Sequence, residues 1–505
     1  MTHGSRKIRV AGLTRVEGEG GLEIVLRDGQ IAEARLDIYE PPRFFEGILR
    51  GRRYTEPPDI TARICGICPI AYQMSACAAI EDACGVSVPA DIRALRRLIY
   101  CGEWIGSHAL HVYLLHAPDF LGYESGIHLA RDHPEIVKRG LRLKKTGNHL
   151  MEVIGGRSVH PVNVKVGGFY RAPSAGELRG LVPELEQARQ DALETVAWVA
   201  TFDFPDFERD YEFVSLRHPD EYAITSGRIV SGSGLDIVPA GYDSHFTEHQ
   251  VPHSTALHST FDGNTYLTGA LARYSLNSGQ LHGDVAAAAR AAGLGATCAN
   301  PFRSIIVRAI ELLYACDEAL RLIGAYTPPD PPSVDVTPRG DAGSGELVGY
   351  GCTEAPRGLL YHRYVLSPDG TITDAKIVPP TSQNQRVMEA DLRDFAAIRL
   401  GLPEEQLGAA CERAIRSYDP CISCAAHFLD LRVTGLHEAC HRHRQSRPGR
   451  RRRRAGNRQP RQPGRAAGRD GSASGRRPAH AARRASAGTE LRRRRVRSRC
   501  GLLGK

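Results

Sequence analysis

No stretch of this chain approaches the roughly 18 consecutive apolar residues of a membrane-spanning helix. The first residues, Met1-Thr2-His3-Gly4-Ser5-Arg6-Lys7, are polar and lead directly into a strand-like run, without the apolar segment of a secretory signal. These two absences point to a cytoplasmic protein with no membrane partner. No Gly-x-Gly-x-x-Gly stands between a strand and a helix, so a pyridine nucleotide is not expected to bind this chain. There is no internal repeat. Of the 13 cysteines most stand alone. None forms the closely spaced run that holds an iron–sulfur cluster, and unpaired thiols fit a reducing compartment.

The formal net charge of +9 hides two opposite parts. Residues 428–505 hold 23 Arg and one Lys against two Asp and two Glu, so +20 belongs to that segment and −11 to the rest. Beyond Val433 Arg, Gly, Ala and Pro dominate the sequence, with runs at 450–454 and 492–495 and no hydrophobic periodicity. Such a composition cannot bury enough surface to fold. A basic arm of this kind can neutralise nucleic-acid phosphates. Aromatic residues for base stacking are absent, however, so no nucleic-acid partner is expected. Translation in a shifted reading frame is the favoured account of 434–505, and 1–433 is expected to form one domain.

Within 1–433, Leu22, Ile24 and Leu26 alternate with other residues. Asp28-Gly29 supplies a turn, and Ala32, Ala34, Leu36 and Ile38 alternate on the return strand. Helices are predicted over 69–83 and 90–116. Ser174 and Glu177 form a capping box opening a helix to about residue 200. Asn300-Pro301 opens another to residue 323. A strand pair over 359–365 and 371–378 is joined at Asp369-Gly370, and helices follow over 386–400 and 404–416. Long helices with short sheets predict a mainly α (α+β) fold, a single large domain around a helix bundle with small peripheral β-sheets.

Two Cys-x-x-Cys pairs carry the chemistry, Cys65/Cys68 and Cys421/Cys424. Four thiolates select soft or borderline metals such as zinc, nickel or clustered iron. Ligand type alone favours a closed structural zinc site. The spacing argues otherwise. Zinc ribbons bring their pairs from within about 20 residues, whereas about 350 residues intervene here, so a whole domain must fold before the sulfurs meet.

Six blocks in order complete the pattern: Leu13-Thr14-Arg15-Val16-Glu17-Gly18, residues 45–52, the Cys65/Cys68 block, Gly156-Arg157 with His160-Pro161 and Gly167-Gly168, Glu354-Ala355-Pro356-Arg357-Gly358, and the Cys421/Cys424 block. Over roughly residues 5–433 the chain resembles the large, catalytic subunit of nickel–iron hydrogenases, most closely the cytosolic NAD(P)-linked branch. The resemblance implies a centre of nickel and iron, the iron bearing carbon monoxide and two cyanides. Cys65 and Cys421 would be terminal nickel ligands, with Cys68 and Cys424 bridging to iron. Cys421 would be the first proton acceptor and Glu17 the next. Arg357, stiffened by Pro356, would lie over the open metal position and pair with Asp419, and Thr381 would donate to a cyanide. Glu46, His427 and the Ile377 carbonyl would hold a second metal, magnesium or iron.

The resemblance further implies reversible cleavage of H2 to protons and electrons. It implies an iron–sulfur small subunit to take the electrons, flavin- or NAD(P)-binding subunits beyond it, and a maturation protease cutting after His427. Two departures stand out: Tyr72 where several members have His, and Ser107 where some have Asp. Two alternatives stay open at this point, a non-catalytic relative from the respiratory complex and a zinc-stabilised protein with a nucleic-acid-binding tail. Cys77 and Cys84, seven apart on a predicted helix, read as core residues.

Overall fold

Three strands at the start of the chain build a sheet whose central strand is buried along nearly its whole length. A computed structural model describes residues 5–338 and 345–427. In it β1 (Ser5–Val10), β2 (Gly20–Arg27) and β3 (Gln30–Ile38) form an antiparallel sheet in that order. Asp28 and Gly29 connect β2 to β3 with φ of 54° and 79°, the positive values that a tight two-residue hairpin requires. The predicted hairpin stands.

Helix α1 (Pro69–Ala83) begins directly after Cys68, where the absent amide hydrogen of Pro69 breaks no intrahelical bond. Cys77 within it is fully buried, as the core reading expected, whereas Cys84, which caps its end, is only half-buried at the edge of the core. Helix α2 (Ala90–Leu110) is shorter than predicted, because residues His111–His116 wind into a wider π-helical turn. Pro118 removes an amide that a continuous α-helix would need. The wider turn sets the buried His111 and His116 rings 5.1 Å apart.

Helix α3 (Pro134–Gly155) packs against α2 at glycine contacts. A Cβ at Gly147 would lie 2.6 Å from the Gly102 carbonyl oxygen, so the two backbones touch only because that carbon is absent. The capping box at Ser174 forms, but it opens a single turn, Ala175–Arg179. The long helix α4 (Val182–Val199) starts afresh with Pro183 in its first turn. Asn300 caps a 3-10 turn (Pro301–Arg303) that feeds α5 (Ser304–Gly324). Helices α2, α3, α4 and α5 make the bundle.

Two small sheets flank it. Strands β4 (Phe246–His249) and β5 (His258–Phe261) pair with each other. Strands β6 (Leu347–Ala355), β7 (Gly358–Leu366) and β8 (Ile372–Val378) form a second sheet, packed on α1. Helices α6 (Gln385–Ala397) and α7 (Glu404–Arg416) then lead to a one-turn helix α8 (Ile422–Ala425). The fold is the predicted one, mainly helical around a long bundle with small peripheral sheets. Residues 434–505, read as the basic tail, lie outside the described residues.

Candidate metal centre

The loop before α1 and the turn before α8 meet in the core. Cys65 Sγ lies 3.5 Å from Cys421 Sγ, and Cys68 Sγ lies 3.9 Å from Cys424 Sγ. All four sulfurs fall within 4.8 Å of one another, and all four residues are buried. The first pair is held locally. Glu103, on α2 and fully buried, accepts from the amides of Ile70 (2.6 Å) and Ala71 (3.2 Å) in the first turn of α1. The amides of Ile67 and Cys68 point back at Cys65 Sγ at 3.3 and 3.4 Å.

The second pair is held from afar. The Cys421 amide donates to Thr381 Oγ1 at 3.0 Å. The Ile422 amide donates to the Glu17 carbonyl at 2.9 Å, and the Ser423 amide to Glu17 Oε2 at 3.1 Å. Gly18 permits this approach. Its φ is +88°, and a Cβ there would sit 2.5 Å from Glu40 Oε2 and 2.8 Å from the Ser423 nitrogen. Arg15 anchors the segment by donating to the Leu115 carbonyl at 2.9 Å and pairing with Asp119, which also pairs with Arg416.

Glu17 Oε2 lies 3.0 Å from Cys421 Sγ. This is hydrogen-bond distance for a thiol donor. Arg357 and Pro356 form the two-residue turn between β6 and β7, where Ala355 pairs with Gly358. The buried guanidinium donates through Nε to the Asp419 carbonyl (2.8 Å) and through Nη2 to Asp419 Oδ1 (3.0 Å), and reaches Ser107 Oγ at 3.5 Å. Where some relatives would present a second carboxylate, this arginine meets a hydroxyl.

Electrostatics follow from burial. Hydrogen bonds from Cys421, Cys424 and Cys68 pull the Cys65 thiol well below its ordinary value. Burial, with hydrogen bonds to Cys424 and Cys65, pushes Cys421 well above. Four negative sulfurs cannot share this volume without a cation, and a bound metal supplies that charge by displacing the protons. The donor set therefore fits a thiolate-bound metal. Two buried polar atoms beside it add to the fit: Tyr72 Oη and Asp419 Oδ2 have no hydrogen-bond partner among the described residues. Asp419 itself is held below the usual carboxylate range; burial acts against this, and Arg357 together with His111, Arg308 and His108 outweighs it.

Glu46, Ile377 and His427 also come together. Glu46 Oε2 lies 3.0 Å from His427 Nε2, and Glu46 Oε1 accepts from the Ile377 amide at 2.7 Å. They line a cavity of about 250 Å³ that reaches Cys424. The Ile377 group in contact is the N–H; the predicted ligand was its carbonyl. A carboxylate beside an imidazole at a partly open cavity fits a divalent cation.

Sequence reasoning missed two buried residues that hold the site. Arg273 donates to the Ala355 and Pro356 carbonyls at 2.8 Å each, and pairs with Glu311 (2.7 Å) and Glu354 (3.0 Å). It fixes the turn that carries Arg357. Glu311 would be raised by burial, but Arg273 brings it down to about 2, while burial leaves Glu354 up at about 7. Glu103 is the other. Its only sequence signal was a charged residue in the otherwise apolar run 101–105.

A family model described as nickel-dependent hydrogenase matches residues 43–133 and 261–427. The chain belongs to the nickel-dependent hydrogenase family. The alpha subunit of sulfhydrogenase 2 from Pyrococcus furiosus is 36% identical over 427 residues, covering 83% of this chain and 98% of the relative. The beta subunit of the NAD-reducing hydrogenase HoxS of Cupriavidus necator is 27% identical over 484 residues, covering 84% and 95%. The crystal structure of an NAD+-reducing [NiFe]-hydrogenase in the H2-reduced state matches with a TM-score of 0.74 at 28% identity, over 84% of this chain and 99% of that one. The [NiFeSe]-hydrogenase of Dm. baculatum, at 21% identity and a TM-score of 0.68, shows the same fold. The protein is thus a hydrogenase large subunit, an oxidoreductase of a nickel-dependent family. The zinc-ribbon and respiratory-complex alternatives fall away.

Proposed function

We propose that this chain is the catalytic subunit of an enzyme that reversibly splits H2 into two protons and two electrons. The observation that carries the reading is the convergence of four buried sulfurs with a carboxylate 3.0 Å from one of them. Cys65, Cys68, Cys421 and Cys424 would together hold a nickel–iron group whose iron carries carbon monoxide and two cyanides. When bound, that group supplies the position at which H2 is cleaved heterolytically.

The protein's own part is to hold charge and move protons. Cys421 Sγ takes a proton and Glu17 Oε2 receives it, since the two lie at transfer distance. Arg357 keeps a permanent cation beside the sulfurs, and Arg273 and Asp419 fix its orientation. Thr381 Oγ accepts from the Cys421 amide, which leaves its own hydrogen free to donate to an anionic ligand such as cyanide. Glu46, His427 and Ile377 would hold magnesium or iron at the second site.

Electrons must leave through a partner, because the chain has no cysteine run for a relay. An iron–sulfur small subunit is the expected recipient, with flavin- and NAD(P)-binding subunits beyond it; a relative named as NAD-reducing supports that acceptor. We place the enzyme in the cytoplasm. Among the described residues no helix is long and apolar enough to cross a membrane. We also propose that residues 1–433 form one domain, that a maturation protease cuts after His427, and that the basic segment is removed. The family match ending at residue 427 supports that boundary.

The test is co-expression with the maturation machinery and small subunit. Nickel together with iron in excess of it, infrared bands of metal-bound carbon monoxide and cyanide, and H2-dependent dye reduction by a chain whose mass ends at His427 are expected. Zinc alone, or turnover by a chain still ending at Lys505, would refute the respective parts.

A further inference from the structure

A second group of metal-binding side chains lies outside the thiol centre. His253 precedes β5, His258 begins β5 and Glu389 stands on α6. Their ligating atoms all fall within 4.8 Å of one another. His253 Nε2 is 2.8 Å from Glu389 Oε1, and His258 Nδ1 is 4.0 Å from Glu389 Oε2. The two imidazoles meet edge to face at 5.6 Å and 84°. His258 is 4% exposed, and its Nε2 is buried with no hydrogen-bond partner. The His253 and Glu389 side chains keep 22% and 17% of their exposure, which leaves a way in for an ion and room for water ligands.

We propose that His253, His258 and Glu389 form a separate site for a divalent first-row transition ion, held by two imidazoles and one carboxylate. Donors of this kind suit zinc, nickel or iron(II), and three protein ligands leave positions for water. They do not resemble the all-oxygen shell that magnesium prefers. Three dative bonds form, from the two ring nitrogens and a Glu389 oxygen. The hydrogen now between His253 and Glu389 departs, to solvent if the ring is charged or by moving to Nδ1 if it is neutral. No electron changes hands.

The surroundings give the site a structural consequence. Glu389 also accepts from the Leu36 amide of β3 at 2.8 Å. Between the two histidines, Thr255 donates its amide to the Ile38 carbonyl, and its own carbonyl accepts from the His427 amide at 2.9 Å. Ala256 pairs with Ala426. An ion here would tie α6 and the 253–258 segment into one unit against Ala426 and His427. The pairing His253, His258 and Glu389 shows no sequence signature, since 131 positions separate the second histidine from the glutamate.

The experiment equilibrates the full chain with Zn2+ alone and dialyses it against metal-free buffer. The wild type should retain one more equivalent of zinc than Glu389→Gln, a variant whose amide oxygen can still accept from Leu36. In parallel, a Cys421→Ser/Cys424→Ser chain, its thiol centre dismantled, should bind zinc with a nitrogen–oxygen shell containing two imidazoles in X-ray absorption. Adding His258→Asn to it should weaken binding at least tenfold. Equal zinc in wild type and Glu389→Gln overturns the proposal, as does a Cys421→Ser/Cys424→Ser chain that holds no zinc. If either variant fails to fold, the other measurement decides alone.

Discussion

The two cysteine pairs share a spacing and differ in what holds them. Cys65 and Cys68 belong to the start of α1, whose first amides are clamped by Glu103 from the next helix in the chain. Cys421 and Cys424 belong to a one-turn helix that could not stand alone. Its amides are satisfied by Glu17 near the other end of the chain and by Thr381. One pair is placed by neighbours in sequence, the other by contacts that close only when the whole domain is folded. Assembly of the centre is therefore controlled by the second pair, and the proposed proton exit depends on the same residue, because Glu17 both carries that pair and faces its sulfur.

The sharpest way to break this comparison separates Glu17's two jobs. Its carbonyl oxygen accepts from Ile422 whatever the side chain is, while its carboxylate, 3.0 Å from Cys421 Sγ, is the proposed proton acceptor. Glu17→Gln keeps the backbone contact and an acceptor for the Ser423 amide, and loses the acid. H2 oxidation should fall by roughly 10²–10⁴, the usual contribution of a placed general base, with nickel content unchanged. Loss of nickel along with activity would show that the side chain builds the centre and does not serve it as a proton acceptor.

The next effect tests the asymmetry itself. Thr381→Val removes the acceptor of the Cys421 amide and leaves that buried donor unsatisfied, which costs about 1–3 kcal/mol. Glu103→Gln leaves one oxygen for two amides and removes a buried carboxyl that burial has already pushed well above its ordinary value. The first change should lower nickel occupancy more than overall stability. The second should alter thermal stability by less than about 1 kcal/mol and leave occupancy unchanged. Metal analysis beside calorimetry distinguishes them; equal effects on both readouts would erase the distinction between the pairs.

How much of this was legible beforehand follows the same division. Local rules placed the hairpin at Asp28-Gly29, α1 after Pro69 and the β7–β8 pair, because turn chemistry and short-range periodicity decide them. Helix α3 went unread. Its value lies in Gly147 meeting Gly102, a contact no pattern within the helix reveals. Helix α2 was overrun past Leu110, because apolar spacing continues through a turn whose geometry changes. Around the metal, the cysteines, Glu17 and Arg357 were found through motif context. Arg273 and Glu103, which fix them, were not, since a buried charge paired across some 80 positions or capping the preceding helix looks like any surface residue in a sequence.

The smallest effect concerns acid. His111, in the wide turn, has its Nε2 2.8 Å from the Arg416 carbonyl, just before Asp419 and the second pair. Burial holds it down to about 3 from an ordinary 6.5. The unfolded chain therefore binds a proton below pH 6.5 that the folded chain refuses. The stability from keeping this ring neutral is complete above pH 6.5 and erodes as pH falls toward about 3, by at most about 1.4 kcal/mol per pH unit. His111→Gln can still donate to the Arg416 carbonyl and cannot take up that proton. Its unfolding free energy, followed by denaturant titration from pH 6.5 to 4, should fall less steeply than the wild type's by up to one proton's worth. An unchanged slope would mean that this ring charges equally well in both states, and that acid has no particular hold on the turn carrying Cys421.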